Sequence, residues 1–224
     1  MAAKKPNSTT VYIEVGKKKV FAMALDWPGW GRSGKTADDA LAALAEYAER
    51  YAPVVRAAKI DFPAEAGENF SVVEEVDGSA TTDFGAPASL VESDSKRLTA
   101  KEAGRAATLQ QACWDTLDTM AGRSPAELRK GPRGGGRDRD KMLDHVLGAE
   151  AAYARKIGIK HQQPAVDDVG AIKAMRSDII EVLSAGSGGG SPVPKGWPVR
   201  YAVRRFAWHA LDHAWEMQDR DPDG

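Results

Sequence analysis

Three of the chain's four histidines stand where a metal ion could be held. His209 and His213 lie in the run Ala207-Trp-His-Ala-Leu-Asp-His-Ala-Trp-Glu216. Residues four apart share one face of a helix, one turn apart, so both imidazoles can reach a single ion. His145 sits within Lys141-Met-Leu-Asp-His-Val-Leu147, part of a second apolar helix. An imidazole from a facing helix completes a three-nitrogen set. Three protein ligands leave positions open for water or a substrate atom, the arrangement of catalytic rather than structural zinc sites. Zinc suits such a set first, with nickel, iron or manganese as alternatives. Imidazole binds metal when neutral, so such an ion should be lost as pH falls below about 6. The competing reading is that these are half-buried histidines bonded to neighbours and serving the core. His161, in the polar segment Lys160-His-Gln-Gln-Pro164, reads as a surface residue.

Carboxylates and arginines surround these positions. Asp144, Asp212 and Glu216 could orient the imidazoles, or could be solvated helix charges or partners of Arg204 and Arg205. The stretch Arg129 to Arg139 puts five positive charges around a Gly-rich loop just before the His145 helix. Arg133 and Arg137 in that loop, with Arg204 and Arg205, could clamp an anionic cosubstrate such as a thiol carrying carboxylates. A flexible, solvated loop and surface ion pairs are the plain alternatives. Cys113 has no positive neighbour in sequence and reads as a small buried residue. Trp114, Trp208 and Trp215 read as core, and the last two share a face that could also wall a pocket.

Two kinds of element must position these groups. Val11 to Val15 and Lys19 to Leu25 are β-branched and aromatic around Gly16-Lys-Lys18, a hairpin pattern. Thr36 caps a helix whose apolar face is Leu41, Leu44, Tyr47, Ala48 and Tyr51. Phe70 to Val76 reads as another strand, and Thr81 to Leu90 as a further strand or an extended crossover. From Thr99 the apolar period becomes helical. Thr99-Ala-Lys-Glu102 is a capping box. Helices are expected from there to about Ala121, over Arg139 to Ile157, over Val166 to Leu183, and from Trp197-Pro198 to about Asp219, with a short turn of helix at Ser124-Pro125. The expected architecture is α+β: a small sheet domain over residues 8–92, then an all-α four-helix bundle over residues 97–221.

Residues 99–221 resemble the DinB/YfiT-like metalloenzyme family. The resemblance rests on His145 and on the terminal motif Arg204-Arg-Phe-Ala-Trp-His-Ala-Leu-Asp-His-Ala-Trp-Glu-Met-Gln-Asp-Arg220. It implies a four-helix bundle with a long crossover, a divalent metal on His145, His209 and His213, and either a low-molecular-weight-thiol-dependent transferase or isomerase, or a hydrolase. It also implies a small-molecule substrate and the option of a homodimer.

Gly29-Trp-Gly-Arg-Ser-Gly-Lys-Thr36 matches the phosphate-cradling G-x-x-x-x-G-K-T letter for letter. The preceding strand, however, reads as the second arm of a hairpin, and no apolar strand ending in Asp follows to hold magnesium. Residues 11–55 are instead similar to HicB-like antitoxin domains, through Trp27-Pro-Gly-Trp30, Gly34-Lys-Thr36 and Ala37-Asp-Asp-Ala-Leu41. That similarity implies an accessory module for binding and association. It also supplies the alternative function: a non-catalytic metal- or ligand-binding protein whose first domain mediates association. A formal charge of −1 argues against a dedicated nucleic-acid binder. With one cysteine, no apolar h-region and no run of about 18 apolar residues, the chain reads as cytoplasmic and free of the membrane.

Overall fold

The structure is a computed structural model that describes residues 8–131 and 135–222. It is α+β, with a mixed sheet in the N-terminal part and most helices C-terminal. Strands β1 (Thr9–Val15), β2 (Val20–Ala24) and β3 (Gly31–Gly34) form an antiparallel meander. The chain then crosses through α1 (Ala37–Glu46) and α2 (Ala48–Ala57) to β4 (Phe70–Asp77), which lies parallel to β1 at the far edge. The strand order is therefore β3-β2-β1-β4. Alternation divides the two faces. Val11, Ile13, Val20 and Ala22 point into the main core with α1 and α2, while Tyr12, Phe21 and Met23 point to the other side.

Two expected features change here. The single helix after Thr36 is two, meeting at Tyr47, although Thr36 and Asp39 do form the capping box at its start. The Gly-rich run is not a phosphate loop, because Gly31 to Gly34 is itself a strand paired with β2. Its glycines serve close packing. A Cβ on Gly29, at φ +95°, would lie 2.8 Å from Leu211 Cδ1.

After β4, residues expected to be strand or crossover form a short helix α3 (Ala80–Phe84) and then an extended strap. Buried Glu14 on β1 holds that strap, accepting from Thr82 Oγ1 and from the Ala88 and Ser89 N–H groups. A 3-10 turn, Glu92–Ser95, leads to α4 (Ala100–Arg123), capped by Thr99 with Glu102 as the sequence suggests. Then come α5 (Arg139–Lys156), α6 (Val169–Ser184) and α7 (Val199–Asp219). The turn of helix expected at Ser124-Pro125 is absent, and α6 starts at Val169 because Asp168 caps it. Helix α7 packs against α4, α5 and α6. Sixteen of its twenty-one residues are buried, so it is the central helix of the fold. One apolar core runs from Val11 through to Met217 and joins the sheet to the helices. No described helix is long and apolar enough to cross a membrane.

Candidate metal centre

Helices α5 and α7 bring His145, His209 and His213 to one point. Their ring centroids lie 4.7–5.1 Å apart, and one ligand nitrogen from each falls within 4.8 Å of the others. His209 and His213 are buried and His145 is half-buried. His209 Nε2 and His145 Nε2 are 3.3 Å apart. Two imidazoles on a tetrahedral zinc, with bonds of 2.0–2.1 Å, hold their nitrogens about 3.3–3.4 Å apart.

Protonation states favour ligation. Burial, reinforced by the charges of His213, Arg205 and other neighbours, pushes His209 well below the ordinary imidazole value of 6.5. Burial, then the Arg137 charge, lowers His145 as well. Both rings are therefore neutral at pH 7, the ligand form. His213 Nδ1 lies 2.9 Å from Glu216 Oε2, which keeps the proton on Nδ1 and frees Nε2 for the cluster. A single proton can bridge only one pair of converging lone pairs, whereas a divalent cation satisfies all three. Among the described residues His209 Nδ1 is buried with no hydrogen-bond partner. Stranding that group costs about 1–3 kcal/mol, and an ion on Nε2 would leave it stranded all the same, so the fit to a metal rests on the three converging nitrogens. The donor set thus fits a late first-row divalent ion.

The three expected outer carboxylates part company. Glu216 is at the site, accepting from His213, and its hydrogen bond with that ring holds its pKa below the usual carboxylate range. Asp144 accepts from Gln163 at 2.7 Å, and Asp212 pairs with Arg32 at 3.1 Å, so neither bonds an imidazole. Burial raises Asp212 above the usual carboxylate value despite Arg32.

The arginines also divide. Arg204 and Arg205 are not surface groups. Arg204 is buried against Asp94 at 2.7 Å, and Arg205 donates to the Pro87 carbonyl. They tie the strap to α7, because a buried guanidinium must be given acceptors. Arg137 is exposed in the loop before α5, and Arg133 falls outside the described residues. Cys113 is buried, and burial pushes its thiol far above the ordinary range, so it is no nucleophile. Trp114, Trp208 and Trp215 are core, with Trp208 edge-on to Phe21 of the sheet. His161 pairs with Asp178 away from the cluster.

Two residues gain a place that the sequence reading did not give them. Arg220 bonds Glu216 Oε1 at 2.8 Å and the Arg129 carbonyl at 2.8 Å, so it holds the carboxylate that holds His213. The i,i+4 spacing of Glu216 and Arg220 was the available signal. Tyr153, about two turns on from His145 along α5, stands edge-on to His209 at 5.7 Å. Comparison of the chain with protein-family models, with curated proteins and with solved structures yields no match.

Proposed function

We propose that the protein is a cytoplasmic, divalent-metal-dependent enzyme of the DinB-like type, acting on a small molecule as a thiol-dependent transferase or isomerase, or as a hydrolase. In this reading α4 to α7 are its four-helix bundle, and the first 92 or so residues are a HicB-like accessory domain. The observation that carries the proposal is the convergence of three imidazoles from two helices, with Glu216 orienting one of them. An ion held there supplies Lewis acidity, lowering the pKa of a bound water or thiol and polarising a substrate. The chain's own part is to keep His145 and His209 neutral by burial, to fix the His213 tautomer through Glu216 and Arg220, and to leave Arg137 exposed in the loop before α5 for an anionic group.

Near-complete burial of His209 and His213 favours a second reading, in which the ion is enclosed and only stabilises the bundle. Elemental analysis of tag-free protein, wild type beside His209→Ala/His213→Ala, tests what the two readings share. About one metal per chain in the wild type and little in the variant is the expected result. No metal and no uptake of zinc or nickel would sink both. Metal-loaded protein that stays inert toward low-molecular-weight thiols with electrophile panels, and toward hydrolysable esters and amides, would favour the structural ion.

A further inference from the structure

Away from the histidines, a cavity of about 490 Å³ opens between the sheet, the 3-10 turn, α4 and α7. That size is typical of small-ligand pockets. Leu25, Pro28, Leu98, Ala106 and Val203 supply apolar wall. Val73 also lines it, for a specific reason. The β1/β4 register skips at this point, with Val11 opposite Val72 and Tyr12 opposite Glu74, so Val73 is the extra residue of a bulge. A bulge re-aims its side chain, and Val73 is left 45% exposed.

The charges around the cavity are unevenly spent. Four of its carboxylates are engaged: Asp94 with Arg204 and the Val91 N–H, Glu102 with Thr99 and Arg200, Glu74 with the Glu92 N–H, and Glu92 with Lys96. Two arginines are not fully used. Arg105 makes one hydrogen bond, Nη1 to the Asp26 carbonyl at 2.7 Å, and is braced against Trp27 with Cζ 4.4 Å from the ring. A guanidinium carries five N–H donors, so most of its donors are unspent. Arg204, 4% exposed, gives Nη2 to Asp94 and lies over the Tyr12 and Tyr201 rings at 4.8 and 5.6 Å, while among the described residues its Nε and Nη1 have no hydrogen-bond acceptor. A buried cation short of acceptors favours negative charge beside it.

We propose that this cavity binds a small amphipathic monocarboxylate, its anion on Arg105 with the Arg204 charge behind it and its apolar body along Leu25, Pro28 and Val203. Arg105 is held by a carbonyl and a ring before any ligand arrives, so little side-chain entropy is lost on binding. Val73, at the bulge, bounds the apolar part.

Titration calorimetry on the full chain with octanoate tests this, with octanol and octylammonium as controls. The expected result is one saturable octanoate site with a Kd of about 1 mM or tighter, and no comparable site for either control. Arg105→Gln weakens octanoate by roughly ten- to a hundredfold, and Arg105→Lys restores part of the loss. Val73→Trp, at a half-exposed bulge position, blocks the cavity without disturbing the arginines, and thermal melts check that all three variants fold. Octanol binding as tightly as octanoate, unchanged affinity in Arg105→Gln or Val73→Trp, or no saturable octanoate binding would each overturn the proposal.

Discussion

Replacing Glu216 by Gln discriminates between an imidazole cluster built for metal and one built for packing. Of the three carboxylates near the site, only Glu216 bonds an imidazole, at 2.9 Å from His213 Nδ1, and Arg220 fixes it from the other side. A charged acceptor in that position raises the basicity of the ligating nitrogen and locks its orientation; Gln keeps one neutral oxygen, for which His213 and Arg220 compete, and loss of such an outer partner typically weakens metal by 10- to 100-fold. That range is about 1.4–2.8 kcal/mol. With zinc in excess, the stabilisation gained from binding falls by the same amount. For a chain of this size the zinc-dependent rise in Tm should shrink by roughly 3–11 °C. The assay is zinc competition against a chromophoric chelator, with melts of apo and loaded protein. Asp144→Asn and Asp212→Asn are the controls, since Gln163 and Arg32 occupy their carboxylates. Both should change zinc affinity by less than about threefold, or about 0.65 kcal/mol, because neither carboxylate bonds an imidazole. Equal losses in all three variants, or no loss in Glu216→Gln, would refute the reasoning.

Arg176 is nearly buried and bonds Glu150 on α5 and Asp118 on α4. Arg176→Met should cost about 3–5 kcal/mol by leaving Glu150 buried and unpaired, and Glu150→Leu added to it should recover most of that in urea titrations. Burial already raises the Glu150 pKa above 4.5, so the folded state holds its proton more tightly than the unfolded chain. That contribution is full below pH 4.5 and lost as pH rises through the folded value, and the Arg176→Met deficit should be larger at pH 8 than at pH 5. His209 is lowered instead. The apo protein should lose stability as pH falls from 6.5 toward the folded value, because only the unfolded chain takes up the proton there, and His209→Leu should flatten that slope in melts at graded pH. Gly29→Ala adds a Cβ 2.8 Å from Leu211 Cδ1 at positive φ, and should cost about 1–3 kcal/mol by thermal melt. Exposed Lys35→Ala should change stability by less than about 0.5 kcal/mol, and isothermal titration should show no ATP or GTP site in the parent for it to remove.

The local rules of the chain were legible where one residue type settles the geometry. Thr36 and Thr99 cap helices as their spacing with Asp39 and Glu102 requires. His-x-x-x-His puts two rings on one face, and the apolar periods around His145 and His209 turn both helices inward. What stayed hidden depends on distant partners. Gly31 to Gly34 has no β propensity of its own and is a strand because β2 pairs with it and the Met23 side chain, opposite Gly31, fills the space a Cβ there would take. Asp212 is taken by Arg32, 180 residues away, which no local pattern encodes. Arg204 and Arg205 look like helix-surface charges, yet the strap from Pro87 to Asp94 covers them and supplies their acceptors. The pairing of Glu150 with Arg176 is likewise set by how α5 and α6 meet, which the helical period of either one leaves open.

X-ray absorption at the zinc edge of tag-free, zinc-loaded protein tests the metal centre most directly. Three imidazole nitrogens at 2.0–2.1 Å, with outer-shell scattering from three rings that falls to one ring or none in His209→Ala/His213→Ala, is the predicted spectrum. A sulfur neighbour near 2.3 Å, or a wild-type spectrum unchanged in the variant, would place the ion elsewhere and return the three histidines to the core.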